Sequence, residues 1–381
     1  KNAKQSSQFL HRNQQALSVN VIGDFNGKNG SSSYATLVQG KDGNFYGTSR
    51  FGGYYNKGTI FYINSKGKMI VVASFKGFNG AYPYAGLIKG EDGKLYGTTL
   101  GGGNNKDCPV EGGCGTIFSL NYAGKITTLF SFSYLNGIAP AGVLLEDKNG
   151  DLYGTTQSGG SYARGTIFRL TRLGYFTTLI EFNGHNHSGA NPIGGLVQAK
   201  DGNFYGTTSY GGLLNSGTLF RINRTGILTT LVFFSSETGS NPTSKLIQAR
   251  DGNFYGTTVY GGAYKRGTVF RLTPSGKITN LIDFSGINGA YPYAELVQDS
   301  EGNFYGTTQS GGTYRMGSVF RLTSLGKLTT IVSFHGDNGS APYASLTQVK
   351  QGHFYGTTSQ GGSKGFGRVF DIVLKAMEKA Q

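Results

Sequence analysis

The chain has 381 residues, 64 of them glycine, and a net charge of +15 from 35 Lys+Arg and 20 Asp+Glu. An aromatic content of 13% excludes a disordered chain, and glycine without a G-X-Y period excludes collagen. No run of 18 apolar residues occurs, so no membrane-spanning helix is expected, and the basic balance points to acidic partners unless it serves solubility alone.

Residues 1–15 (KNAKQSSQFLHRNQQ) are polar, lack the apolar core of a signal peptide and read as a tail. The chain begins at Lys1, which fits a mature product whose leader has been removed and equally a trimmed chain. Leu17 to Phe25 (LSVNVIGDF) reads as a strand. A tetrapeptide, F/L-Y-G-T, then recurs with its tyrosines at Tyr46, Tyr96, Tyr153, Tyr205, Tyr255, Tyr305 and Tyr355, at intervals of 50, 57, 52, 50, 50 and 50 residues. A second motif, G-T/S/R-V/I/L-F, follows each copy and ends at Phe61, Phe118, Phe168, Phe220, Phe270, Phe320 and Phe370. This period marks a repeat architecture, in which one closed array uses the whole chain.

The sixth repeat serves as the pattern. Ala294 to Gln298 (AELVQ) is a first short strand, Phe304 to Thr308 (FYGTT) a second, Ser318 to Thr323 (SVFRLT) a third and Lys327 to Phe334 (KLTTIVSF) a fourth. In the third, Phe320 and Leu322 share one side and Val319 takes the other, so the sheet needs cover on both faces. Stacking sheets around an axis supplies it. The expected fold is all-β: a seven-bladed β-propeller of four-stranded antiparallel blades over residues 16–374, followed by a tail, 375–381. The last repeat lacks a fourth strand. Leu17 to Phe25 is expected to supply it, closing the ring as three strands plus one.

Strand direction sorts the connections onto two ends. Turns such as KDGN and TPSGK lie at one end, and the D-G pairs (Asp42, Asp201, Asp251) read as type I′ hairpins rather than calcium loops. The longer loops lie at the other end, where binding residues tend to collect. The Gly-Gly pairs there read as turns, since no helix or Lys-Ser/Thr follows to make a phosphate cradle.

Both irregular spacings fall in those longer loops. Gly101 to Gly115 holds the two cysteines, Cys108 and Cys114, expected to form a local disulfide in an oxidising compartment. A zinc site would need two more ligands. The other loop holds His185 and His187, a weak candidate for a metal and otherwise a solvated pair. Arg169, Arg221, Arg271 and Arg321 occupy one position of the third strand and are expected to pair with a neighbouring blade.

The pattern DGNFYGTTxxGGxxxxGTVFRLTxxGKLTTLxxF resembles the GloVer (Gloeobacter and Verrucomicrobium) tandem repeat, most fully at residues 251–284, and the likeness runs from about 17 to 374. It implies a secreted or surface bacterial protein built of propeller-like repeats, and it implies no catalytic residues. Tryptophan–aspartate and kelch repeats fit less well, since no tryptophan is present.

Tyrosines crowd the long-loop end and basic residues interleave with them. The candidate binding face comprises Tyr54, Tyr55, Tyr82, Tyr84, Tyr162, Arg164, Tyr210, Tyr264, Lys265, Arg266, Tyr291, Tyr293, Tyr314, Arg315 and Tyr343, with the Y-P-Y tyrosines equally readable as loop packing. No nucleophile–base set, cofactor motif or specific nucleic-acid motif emerges. The expected function is a non-enzymatic, extracytoplasmic scaffold that binds protein partners, as part of an envelope or secretion assembly. The alternatives are a module for glycans or polyanions and a hydrolase or lyase with an axial site.

Overall fold

The computed structural model describes residues 17–185, 187–223 and 225–374, so the expected tails, 1–15 and 375–381, lie outside the described residues. Seven four-stranded antiparallel sheets form, with no helix among the described residues. In the seventh, the spatial order is Leu17–Asp24, Arg368–Leu374, His353–Thr358 and Thr347–Lys350. The expected closure by three strands plus one is therefore present. The ring closes on the first blade, where Thr347 Oγ1 donates to the Leu37 carbonyl at 2.6 Å and the Tyr355 ring meets Phe45 edge-on at 4.9 Å.

Each letter of F-Y-G-T-T has a physical task, shown by the fourth repeat. Phe204 packs on Tyr153 of the preceding blade, with centroids 4.8 Å apart. The Tyr205 hydroxyl donates to Asp201 at 2.9 Å. Gly206 lies opposite Phe220, and a Cβ on it would come within 2.6 Å of Phe220 Cζ and 2.9 Å of Leu196 Cδ2. The glycine of one motif is thus required by the phenylalanine of the other. Thr207 Oγ1 donates to the Ser244 carbonyl of the next blade at 3.4 Å. Thr208 Oγ1 donates to the Tyr210 carbonyl at 2.9 Å, pairs with the Thr218 hydroxyl at 2.8 Å and accepts from Thr218 N–H at 3.1 Å. Burial of the phenylalanines between blades supplies the main driving force, on the order of 2–3 kcal/mol for each ring.

Three expectations need correction. The innermost strand is shorter than AELVQ: in the sixth repeat it is Val297–Gln298, because the Ala294 carbonyl accepts from Thr257 of the preceding blade instead of pairing within its own sheet. The D-G turn is not type I′. Gly43 has φ +80° while Asp42 stays outside the left-handed region, and Gly40 N–H reaches Asn44 O at 2.8 Å across a three-residue loop. The Asp42 carboxylate instead accepts from Asn44 N–H and the Tyr46 hydroxyl, which anchors turn to strand.

Among the described residues the strand arginines do not reach a neighbouring blade: two pair within their own blade, and Nε of Arg221 and of Arg271 has no partner. Arg169 forks onto Asp151 of its own blade, and Arg321 lies 4.0 Å from Glu301 of its own blade. Tyr153, which pairs with Arg169 in the adjacent strand, leads straight back to Asp151, so the own-blade turn is the nearer partner.

Candidate binding face and axial channel

Each inner segment enters from the long-loop end, and the residue four positions before its short strand faces the axis. In chain order these residues are Tyr34, Tyr84, Ala141, Ile193, Thr243, Tyr293 and Tyr343, and all seven line one cavity. The ring order makes the four tyrosines contiguous. Their centroids follow one another at 4.9 Å (Tyr293–Tyr343), 4.8 Å (Tyr343–Tyr34) and 5.2 Å (Tyr34–Tyr84). Half of the axial mouth is an aromatic arc, and the other half carries only Ala141, Ile193 and Thr243. The Arg50 guanidinium sits 5.5 Å and 5.7 Å from the Tyr34 and Tyr84 centroids, and its Nε has no partner.

Two residues further along the chain, just before the inner strands, Lys245 and Glu295 line both this cavity and a second, at the opposite end of the axis. They mark the waist between volumes of about 80 Å³ above and 590 Å³ below. Burial pushes the Tyr84 phenol up to about 12, with the neighbouring Tyr34 adding to the shift. Burial also raises Tyr293, which shares a hydrogen bond with Tyr260, and Tyr343. These phenols therefore stay protonated and can donate near neutral pH.

The structure divides the candidate face into three groups. Tyr84, Tyr293 and Tyr343 belong to the axial arc. Tyr82 and Tyr291, both at φ +59°, are loop packing: Tyr82 lies on Phe51 at 5.6 Å and Tyr291 on Tyr260 at 5.5 Å. The rest stand on the rim. Tyr55, Tyr162, Tyr264 and Tyr314 occupy one repeated loop position, with Leu214 at the same place in the fourth repeat, and are 44% to 64% exposed. The following residues, Asn56, Ala163, Lys265, Arg315 and Asn215, all take φ between +51° and +59°. That left-handed residue turns each loop back toward the third strand. Tyr54 is 87% exposed and packs edge-on against Tyr55 at 4.8 Å. Tyr210 is exposed beside a short bridge in which it pairs with Ala190. Arg164 and Arg266 follow their tyrosines by two residues.

Cys108 and Cys114 form the expected disulfide. Cys114 is buried against the second blade's core with Ile117 and Phe132, while Val110 and Glu111 between them stay exposed. His187 packs edge-on against Phe233 at 5.2 Å, and its carbonyl accepts from Thr230. Among the described residues no group of three or more His, Cys, Asp or Glu gathers anywhere as a metal site would require.

Sequence reasoning missed the axial arc as a unit. Its signal was the residue after each proline, at Tyr84, Ala141, Ile193, Thr243, Tyr293 and Tyr343. That column holds one run of three non-aromatic residues between tyrosines, a pattern that only ring order makes meaningful.

The comparisons with known proteins bear on this frame. The Gloeobacter/Verrucomicrobia repeat matches residues 9–110, 109–250 and 224–379. The chain belongs to that repeat family. No curated protein sequence matches it. Among solved structures, this repeat protein is similar to extracellular domains of two candidate hybrid two-component systems from B. thetaiotaomicron. One has a TM-score of 0.63 at 12% identity over 96% of this chain, the other 0.59 at 14% over 93%. The chain spans 40% of the length of each. It is also similar to a candidate 6-phosphogluconolactonase from Bacteroides fragilis, with a TM-score of 0.53 at 14% identity, covering 81% of this chain and 85% of that one. These likenesses show the propeller fold.

Proposed function

We propose that this repeat protein is an extracytoplasmic, non-enzymatic propeller that binds a protein partner on its long-loop rim. The observation that carries the reading is the recurrence of an exposed aromatic at one loop position, in Tyr55, Tyr162, Tyr264 and Tyr314, with Lys57, Arg164, Arg266 and Arg315 one or two residues on. Tyrosine with arginine on a rigid backbone is the composition of interface hot spots, because the ring loses little entropy on docking. The Cys108–Cys114 disulfide supports an oxidising compartment, and the extracellular origin of the B. thetaiotaomicron domains is in keeping with it.

The non-enzymatic part of the reading rests on the axis. Its waist offers one carboxylate, Glu295, beside one ammonium, Lys245, whereas two-carboxylate glycosidic cleavage needs a pair. The test is capture from a native envelope fraction with the wild-type chain and with a variant carrying serine at Tyr55, Tyr162, Tyr264 and Tyr314. A protein retained by the first and lost by the second is expected. Equal capture by both, or turnover by the wild type on a panel of polysaccharides and sugar lactones, overturns the reading.

A further inference from the structure

We propose that the axial mouth is a binding site for a single pyranose ring, which enters the gap opposite the tyrosine arc. This site is separate from the rim that carries the partner-binding reading. The gap exists because three of the seven equivalent positions lack a ring. Tyrosine stands at four of them, so the backbone accepts one there, yet Ala141, Ile193 and Thr243 leave that side open.

In blade four nothing fills the space from the next two positions, whereas blade three places Val143 in the cavity lining. A Cβ on Gly195 would come within 2.6 Å of the Val143 carbonyl, and one on Gly194 within 2.6 Å of the Ser244 carbonyl. Those glycines hold the inner segments close together and send no side chain to the axis.

The polar groups match a polyhydroxylated ring. Thr243 lines the cavity, and its Oγ1, covered and without a hydrogen-bond partner, reaches the gap by a turn about χ1. A hydroxyl left that way costs about 1–3 kcal/mol unless a ligand or water satisfies it. Lys245 and Glu295 at the waist form no ion pair with each other, so one donor and one acceptor remain available side by side. Protonated phenols on the arc add donors, and their faces suit the apolar C–H face of a sugar. A free ammonium ligand fits less well, since Lys245 and Arg50 already place two cations around the mouth.

Glucose and glucuronate share the ring and differ in the carboxylate, which Lys245 would favour. The experiment titrates glucose, galactose and glucuronate into the wild-type protein by calorimetry and by saturation-transfer NMR. Thr243→Tyr repeats the same titrations, filling the gap with the residue its four equivalents already carry. Lys245→Met is the second variant, and melting temperatures confirm that both fold. Binding of at least one sugar by the wild type, weakened tenfold or more by Thr243→Tyr, is the expected result. Weakening of glucuronate alone by Lys245→Met identifies an acidic sugar, and equal weakening of all identifies a neutral one; both support the site. No saturation transfer from any of the three, or binding that Thr243→Tyr leaves unchanged, overturns it.

Discussion

Arg368 Nε donates to Asp24 Oδ1 at 2.8 Å, joining two residues 344 positions apart across the seam that closes the ring. They face each other in register where the N-terminal strand pairs with the last. The other six blades carry Thr or Ser at the position of Arg368, hydrogen-bonded to a hydroxyl on the second strand. Only the closing blade replaces that hydroxyl pair with an ion pair. The Arg368 side chain is 7% exposed and also donates to the Asp337 carbonyl.

Arg368→Ala is expected to cost about 2–3 kcal/mol, because it strands a partly buried carboxylate. The cost should depend on pH. Burial alone would raise the Asp24 carboxyl, but hydrogen bonds from Ser363 and Arg368 together outweigh it and hold the group lowered. A depressed folded-state value adds stability that is complete above the ordinary value of 3.8 and is lost as pH falls through the lower, folded one. Urea unfolding of wild type and variant should therefore differ most near neutral pH and converge in strong acid. A gap that does not change with pH would mean the pair acts through packing alone.

Gly206→Ala is expected to destabilise by about 1–3 kcal/mol, since the added methyl meets the Phe220 ring. Phe220→Leu alone should cost about 1–3 kcal/mol by opening space. The double variant should cost clearly less than the sum, because each change relieves the other. Denaturant midpoints for the four proteins give the coupling, and strict additivity would break the link between the two motifs.

Thr208→Val should cost more than Thr218→Val. Thr208 Oγ1 serves the Tyr210 carbonyl, the Thr218 hydroxyl and Thr218 N–H, so its loss leaves one buried and one part-buried backbone group short of a partner. The expected cost is about 2 kcal/mol for Thr208→Val and about 1 kcal/mol for Thr218→Val. Thermal unfolding of the two variants side by side decides the order.

Reduction of Cys108–Cys114 should lower stability by about 2 kcal/mol, as expected for so short a closed loop. The two cysteines should not be equivalent under substitution. Cys108→Ala should cost no more than the lost link. Cys114→Ser should cost more, because Cys114 is packed against Ile117 and Phe132. Equal losses, read from denaturation with and without reductant, would mean that the buried end contributes nothing beyond the bond.

Much of this molecule was legible one residue at a time. The Tyr46-to-Tyr355 spacing gave the blade count, and Leu17 to Phe25 gave the closing strand, because each blade repeats a local pattern with a fixed hydrophobic period. The Cys108–Cys114 pair was equally local. Turn geometry at Asp42 was not, since Asp-Gly occurs in both two- and three-residue hairpins, and the bonds of the Asp42 carboxylate to Asn44 N–H and the Tyr46 hydroxyl form only in the folded turn.

What sequence alone determined, then, was the repeated unit, its number and its mode of closure, all of which follow from patterns within about 50 residues. What only the tertiary structure decided was which exceptions meet. Tyr293 and Tyr34 lie more than 250 positions apart in the chain yet share one aromatic arc, because closing the ring makes the last repeats neighbours of the first. Arg368 found Asp24 for the same reason. Ring closure is a property of the whole chain, so residues that depend on it carry no local signal of the company they keep.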